Sequence, residues 1–185
     1  MPLRIGIAIV PVPSQAGAGS DLDAAVRAEA DGADVVWILG GERIPDPERL
    51  QLAAQVAAST RTIRIGLGPL AWPPESWLRT AEDLATLDAL SGGRIEVVLR
   101  LPGPGSAFDW AAAGEDLDLL HRAWQAGPDE HESPRHRITG VAVHPKPAQP
   151  EGPPIWLAVG DGAGVSREES AADFARRHGA GLLWD

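Results

Sequence analysis

The sequence has no cysteine and no tyrosine, and only two phenylalanines and one methionine. Without thiols it can form no disulfide, present no thiolate nucleophile and build no cysteine-ligated zinc site, so cysteine usage does not fix a redox compartment. Basic residues are also scarce: 16 Lys and Arg stand against 26 Asp and Glu, for a formal net charge of -10. No Lys/Arg cluster or basic stripe interrupts that balance, which argues against nucleic acid and anionic membranes as partners. No apolar run is long enough to cross a bilayer. The N-terminal PLRIGIAIVPVP lacks the longer apolar core and cleavage site of a signal peptide, so the cytoplasm is the default expectation. His131, His136 and His144 follow no ligand spacing, and no metal site is expected.

What is present is an ordinary globular composition, 44% apolar and 23% charged over 185 residues, enough for one domain over 1–185 with a real core. Seven tryptophans supply nearly all the aromatic surface. Residues 3–10 form a short apolar strand closed by Pro11 and Pro13. Ser20-x-x-Asp23 is a capping pattern ahead of Leu22, Ala25, Val26 and Ala30, a helix ending at Gly32. Residues 35–39 are the next strand, and Asp46-Pro47 opens an alanine-rich helix to about Ala58. Ile63, Ile65 and Leu67 mark a third strand, followed by an irregular loop over 68–74.

The segment TAEDLATLDALSGGRIEVVL is the most regular in the chain. Ala81, Leu84, Ala85 and Leu87 recur at helical spacing, Ser91-Gly92-Gly93 stops the helix, and residues 95–99 are a buried, β-branched strand. Beyond the loop LPGPGSA, Leu117, Leu120, His121 and Trp124 share a helical stripe, on which His121 suits packing or an interface better than catalysis. Residues 127–137 are polar and expected to be exposed. Residues 138–143 are a strand, and 144–154, with five prolines, are expected to run over the surface as a linker. Residues 155–159 are a strand, 160–164 a glycine-rich turn, Ser166-x-x-Glu169 caps a helix to Gly179, and the chain closes on Leu182, Leu183, Trp184 and Asp185.

Strand and helix alternate throughout, the α/β pattern of a parallel sheet. A closed eight-unit barrel typically takes about 250 residues, and this length supplies roughly six units, leaving an open doubly wound sheet or a truncated barrel. AEADGADVVWIL, TIRIGLG, LATLDALSGGRIEVVL, PKPAQPEGPPIWLAVG and AADFARRHGAGLLW, in that order, resemble the bacterial luciferase-like monooxygenase family over most of the chain. The resemblance implies a truncated or incomplete (β/α)8 TIM-like barrel, a shortened member of a family that binds FMN or, in one branch, a deazaflavin coenzyme. It also implies oxidation of a small organic substrate with reduced flavin and oxygen.

The same resemblance implies a site at the carboxyl ends of the strands. Arg100 stands at or within one residue of the arginine that contacts the flavin phosphate, where a guanidinium pairs well with the anion; a solvated strand-end arginine is the alternative. Gly160, Asp161 and Gly162 match the second phosphate loop, with Ser166 able to add a hydroxyl, and a plain turn is the alternative. The G-x-G-x-G run there lacks the final spacing of a dinucleotide fingerprint. Trp184 matches an aromatic position near the flavin, and Gly68, before Pro69, lies where the family bends under the flavin ring. Trp72 and Trp110 are candidates to line the substrate pocket, with Glu42 as a polar group. Two departures weigh on turnover: VWIL is followed by Gly40-Gly41-Glu42 instead of Glu-His, and Pro102 and Pro104 stiffen the loop after β-branched residues 95–99. The reading is therefore a flavin-dependent monooxygenase, or alternatively a non-catalytic flavin or hydrophobic-ligand binder, with no cofactor if binding has been lost, or a partner subunit.

An incomplete barrel exposes sheet edges that must be covered. A homodimer or heteromer is expected; size-exclusion chromatography with light scattering should show a species larger than one chain, and a monodisperse monomer would contradict it.

Overall fold

Parallel strands rich in Val, Ile and Leu form the centre of the computed structural model, which describes residues 4–10, 17–40, 46–71, 76–100, 109–125, 127, 129–159 and 171–184. The elements in chain order are β1 (Gly6–Ile9), α1 (Gly17–Ala30), β2 (Val35–Leu39), α2 (Asp46–Ser59), β3 (Arg64–Ala71), α3 (Trp77–Ser91), β4 (Ile95–Arg100) and α4 (Trp110–Trp124). Then follow β5 (Asp129–Glu132), β6 (Arg137–Val141), β7 (Ile155–Val159), α5 (Ala171–Arg177) and β8 (Gly181–Trp184). The main sheet runs β1-β2-β3-β4-β7-β8, all parallel, while β5 and β6 form a separate antiparallel pair. The order follows the sequence without the reversal of a doubly wound sheet, and α1, α2, α3 and α4 touch in succession. This is the winding of a (β/α)8 barrel, here with six strands.

The pleat separates two faces. Val36, Ile38, Ile65, Leu67, Ile95, Val97, Leu99 and Leu157 are buried in the core shared with the helices. The alternate residues Trp37, Gly66, Glu96, Val98 and Trp156 face the other way, toward what is the interior of a barrel.

Three local expectations change and a fourth is sharpened. α1 starts at Gly17, so Ser20 lies inside the helix instead of capping it. Residues 68–71 continue β3 through a shift of register between Leu67 and Leu70, with a cis Gly68-Pro69 bond; the glycine and proline that signal a loop serve here as a bulge. The polar stretch 127–137 contributes β5 and the start of β6. Residues 144–154 run irregularly over the surface as expected but are anchored, since Lys146 donates to Ala123 O at 2.9 Å and Gly152 lies under the Trp124 ring.

That last segment is also tied to the turn between α3 and β4. Ser76 caps α3 by accepting from Arg79 N. At its other end Gly92 adopts φ 69°, donating to Ala89 O, while Gly93 N donates to Asp88 O at 2.9 Å. Asp88 is fully buried and accepts from Gln149 N at 2.9 Å, Gln149 Nε2 at 2.8 Å and Ile95 N at 3.4 Å. Arg94 spends all its donors on carbonyl and hydroxyl oxygens: Ser91 O, Thr60 Oγ1, Ile63 O, Ala57 O and Thr60 O. It thereby closes the carboxyl end of α2 as well, where cations and donors are favoured. The LDALSGGR motif is thus a clasp at the amino ends of the strands, the end of a barrel that carries stability.

Asp88→Ala leaves three donors without their acceptor. It should lower the unfolding free energy by about 2 to 4 kcal/mol, read by urea denaturation with circular dichroism; a loss below about 0.5 kcal/mol would show that the clasp is replaced by solvent.

Candidate functional site

The carboxyl ends of the strands meet at Arg100. It is the last residue of β4, in register with Ala71 on β3 and Ala158 on β7, and alone in that strand it is exposed. Its parity with Glu96 and Val98 puts it on the inner face at the rim, and among the described residues its guanidinium has no hydrogen-bonding or ionic partner. Gly68, one strand away, has φ 137°, and a Cβ there would stand 2.4 Å from Val98 O. Close backbone packing of β3 on β4 therefore requires glycine at this point, and Arg49 of α2 holds the adjoining Pro69 O at 2.9 Å.

Trp110 opens α4, whose cap Asp109 accepts from Ala112 N at 2.9 Å. The ring lies edge-on to Phe174 at 4.9 Å, toward α5. With His121, Asp118, Phe174 and His178 it lines a groove of about 740 Å³ on the outer flank between α4 and α5, away from the strand ends. His121 is half-buried there, edge-on to Trp124 at 5.7 Å, with burial pushing its pKa down. That is the packing role expected of it. Trp184 ends β8 opposite Val159, a strand-end position, although its side chain lies outside the described set. Glu42, Trp72, Gly160, Asp161, Gly162 and Ser166 also lie outside the described residues.

The inner face below the rim holds residues that spacing alone did not mark. Trp37 lies over Gly66, where a Cβ would be 2.0 Å from the ring, and Trp156 over Gly181, where it would be 2.2 Å away. Each indole thus covers a glycine on the next strand. Glu96 is almost fully buried between them, accepting from Arg4 Nη2 at 2.8 Å and from Arg64 Nε. Burial opposes its charge, but the two arginines prevail and hold its pKa below the ordinary carboxylate value. Its second oxygen and Trp156 Nε1 are buried without a partner among the described residues. The sequence signal for this face is a tryptophan and a glycine at equivalent places on successive strands, legible only once register is known.

A second polar cluster joins the β5–β6 pair to α4. His131 Nε2 lies 2.8 Å from Glu115 Oε1, His136 Nε2 lies 2.7 Å from Asp116 Oδ1, and Arg135 reaches both carboxylates. Ser133 bonding, against a burial penalty and joined by His131, His136 and Arg135, draws the Glu115 pKa down to about 2. Among the described residues no group of three or more His, Asp or Glu is placed to hold a metal ion, and no helix is long and apolar enough to cross a membrane.

A parallel sheet in sequential strand order, wound with helices on its outer face, defines an α/β protein of the barrel class. The chain belongs to the luciferase-like monooxygenase family, whose model matches residues 3–183. It is similar to the oxygenase component of flavin-dependent trigonelline monooxygenase from Acinetobacter baylyi, 22% identical over 140 residues, which are 70% of this chain and 37% of that protein. Among solved structures it resembles a monooxygenase from Streptomyces bottropensis, with 24% identity and a TM-score of 0.75 over 97% of this chain and 59% of the other. It also resembles the oxygenating constituent of 3,6-diketocamphane monooxygenase of Pseudomonas putida, a type II Baeyer-Villiger monooxygenase solved with FMN. There the identity is 17% and the TM-score 0.71 over 100% of this chain and 57% of the other. At these identities the structures establish the fold, and the chain spans well under two thirds of each relative.

Two carboxylates give the protein an acid-side signature. Burial works against the Glu29 charge, but the backbone N–H groups of Thr62, Ile63 and Arg61 and the Thr62 hydroxyl bring its pKa from 4.5 to about 2, beside Glu115 at the same value. A depressed folded-state pKa contributes stability that is present above the unfolded value and is lost as pH falls through the folded one. Urea midpoints should therefore drop between pH 4.5 and 2, and the drop should be shallower in a Glu29→Gln, Glu115→Gln double variant. Parallel pH profiles for the two proteins would contradict the assignment.

Proposed function

We propose that this chain is a flavin-dependent luciferase-like oxidoreductase acting on a small organic substrate. The observation that carries the reading is Arg100, an exposed guanidinium at the carboxyl rim of a barrel-ordered sheet, without a partner among the described residues. Its planar donors suit a phosphate, so Arg100 would hold the phosphate end of FMN, assisted by the turn containing Gly160, Asp161, Gly162 and Ser166. On the inner face the half-buried rings of Trp37 and Trp156 offer apolar surface suited to an aromatic ring system, and Trp156 Nε1 is a donor with no partner among the described residues. These features fit a flavin. When bound, a reduced flavin supplies the reducing equivalents for reaction with oxygen, and the protein supplies position and exclusion of water. Arg100 would orient and neutralise the anion, Gly68 lets β3 close on β4 beside it, and Trp72 and Glu42 would shape the substrate side, whereas Trp110, expected there, packs on Phe174 at the outer flank instead. A deazaflavin coenzyme carries the same kind of anion and is the alternative cofactor.

The relatives named as an oxygenase component and an oxygenating constituent support a chain that works beside a partner, as a homodimer or heteromer. A second reading, a flavin binder or partner subunit without turnover, is favoured by one feature: among the described residues β1 and β8 each have a strand on one side only. Tryptophan quenching on titration with oxidised and reduced FMN tests both. Saturable binding weakened at least about tenfold, roughly 1.4 kcal/mol, by Arg100→Ala supports the flavin site. Absence of saturable binding overturns it, and turnover with reduced FMN separates enzyme from binder.

A further inference from the structure

The β5–β6 pair is an unusual addition to a barrel, because it adds no strand to the main sheet and buries little apolar surface. Within it Ile138 is buried while Thr139 and Gly140 are exposed. What holds it is polar and concentrated at its tip. Ser133-Pro134-Arg135-His136 has the composition of a tight turn, proline following serine, and Ser133 Oγ accepts from Arg135 N at 3.1 Å and His136 N at 3.0 Å. The turn therefore presents two side chains in fixed positions. Arg135 Nη1 donates to Ala112 O at 2.8 Å, in the first turn of α4, and its two nitrogens reach Glu115 and Asp116. His136 binds Asp116 and also meets Trp77, the first residue of α3, edge-on at 6.2 Å.

The first turns of α3 and α4 are the points where the chain enters these helices after leaving the rim at Ala71 and Arg100. We propose that the hairpin tip is a clamp on the rim, in which Arg135 and His136 are positioning residues that fix the starts of α3 and α4, the helices that follow the rim residues Ala71 and Arg100 in the chain. The charged and titratable groups facing the tip are Glu115, Asp116 and Arg122 of α4 and His131 of β5. The clamp's effect on ligand binding rests on the flavin reading above; its mechanical effect does not. Arg135 is suited to the task because its planar fork carries donors on separate nitrogens, so that Nη1 reaches Ala112 O and Glu115 while Nη2 reaches Asp116.

The test uses the full chain and two variants, Arg135→Ala and His136→Gln, with FMN as the probe. The expected result for Arg135→Ala is that amide hydrogen exchange at 77–80 and 110–113 accelerates about tenfold while β2, β3 and β4 stay protected, and that the FMN dissociation constant rises about fivefold. His136→Gln, which keeps a donor for Asp116 but removes the ring from Trp77, should loosen 77–80 alone. Unchanged exchange in both variants overturns the clamp. Faster exchange with FMN affinity within twofold of wild type shows a brace that does not position the site, and overturns the proposal. Wild-type protein that loosens as expected on Arg135→Ala yet never binds FMN overturns the flavin reading and the positioning role with it, leaving only the mechanical contact.

Discussion

The interaction on which this fold leans is the buried carboxylate of Asp88 facing the backbone and side-chain amides of Gln149. A carboxylate removed from water is tolerable only when its lone pairs are filled, and here the filling groups come from a segment 61 residues further on. Satisfying Asp88 therefore also fixes the approach to β7. Arg94, a few residues along, performs the complementary service, answering carbonyls at the end of α2 and beside β3. Its burial lowers its pKa from the usual arginine value, and five hydrogen bonds to neutral oxygens keep that charge tolerable without an ion pair. Between them the two residues connect α2, β3, α3, β4 and the entry to β7 through one turn.

This places the most recognisable motif of the chain at the opposite end from the rim marked by Arg100. LDALSGGR solves a packing and hydrogen-bonding problem at the amino ends of the strands, and the carboxyl ends are built from other segments. The signal for fold and the candidate site are physically separate within one barrel.

The same separation explains what could be recognised from sequence. Runs such as VVWIL and IEVVL, and the Gly92 stop, are governed by local periodicity and backbone freedom, and they form the elements their spacing indicates. Gly68-Pro69 misleads because the pair that ordinarily breaks a strand here supplies the bulge that lets β3 continue. DEHE hides the first strand of a hairpin because its docking is ionic and depends on partners in α4, so no apolar alternation announces it, whereas its partner RITGV is read as a strand from 138 onward. The prolines of 144–154 indicate an irregular surface linker, which it is, and only Gln149 and Gly152 in three dimensions show how it is anchored. At the candidate site the strand-end position of Arg100 is readable from residues 95–99, and its role there comes from the family resemblance. Trp37 and Trp156 are not readable in this way, since their role depends on which residue of the neighbouring strand lies opposite.

Each of those two indoles occupies the space that a Cβ on the facing glycine would need. Trp37 with Gly66, and Trp156 with Gly181, are therefore single units of inheritance although 29 and 25 residues separate them. Neither glycine can acquire a side chain while its tryptophan stays, so change on this face must proceed through the ring first and the glycine afterwards. Change at these two pairs is thereby given an order, in which the ring must shrink before the facing strand can carry a side chain.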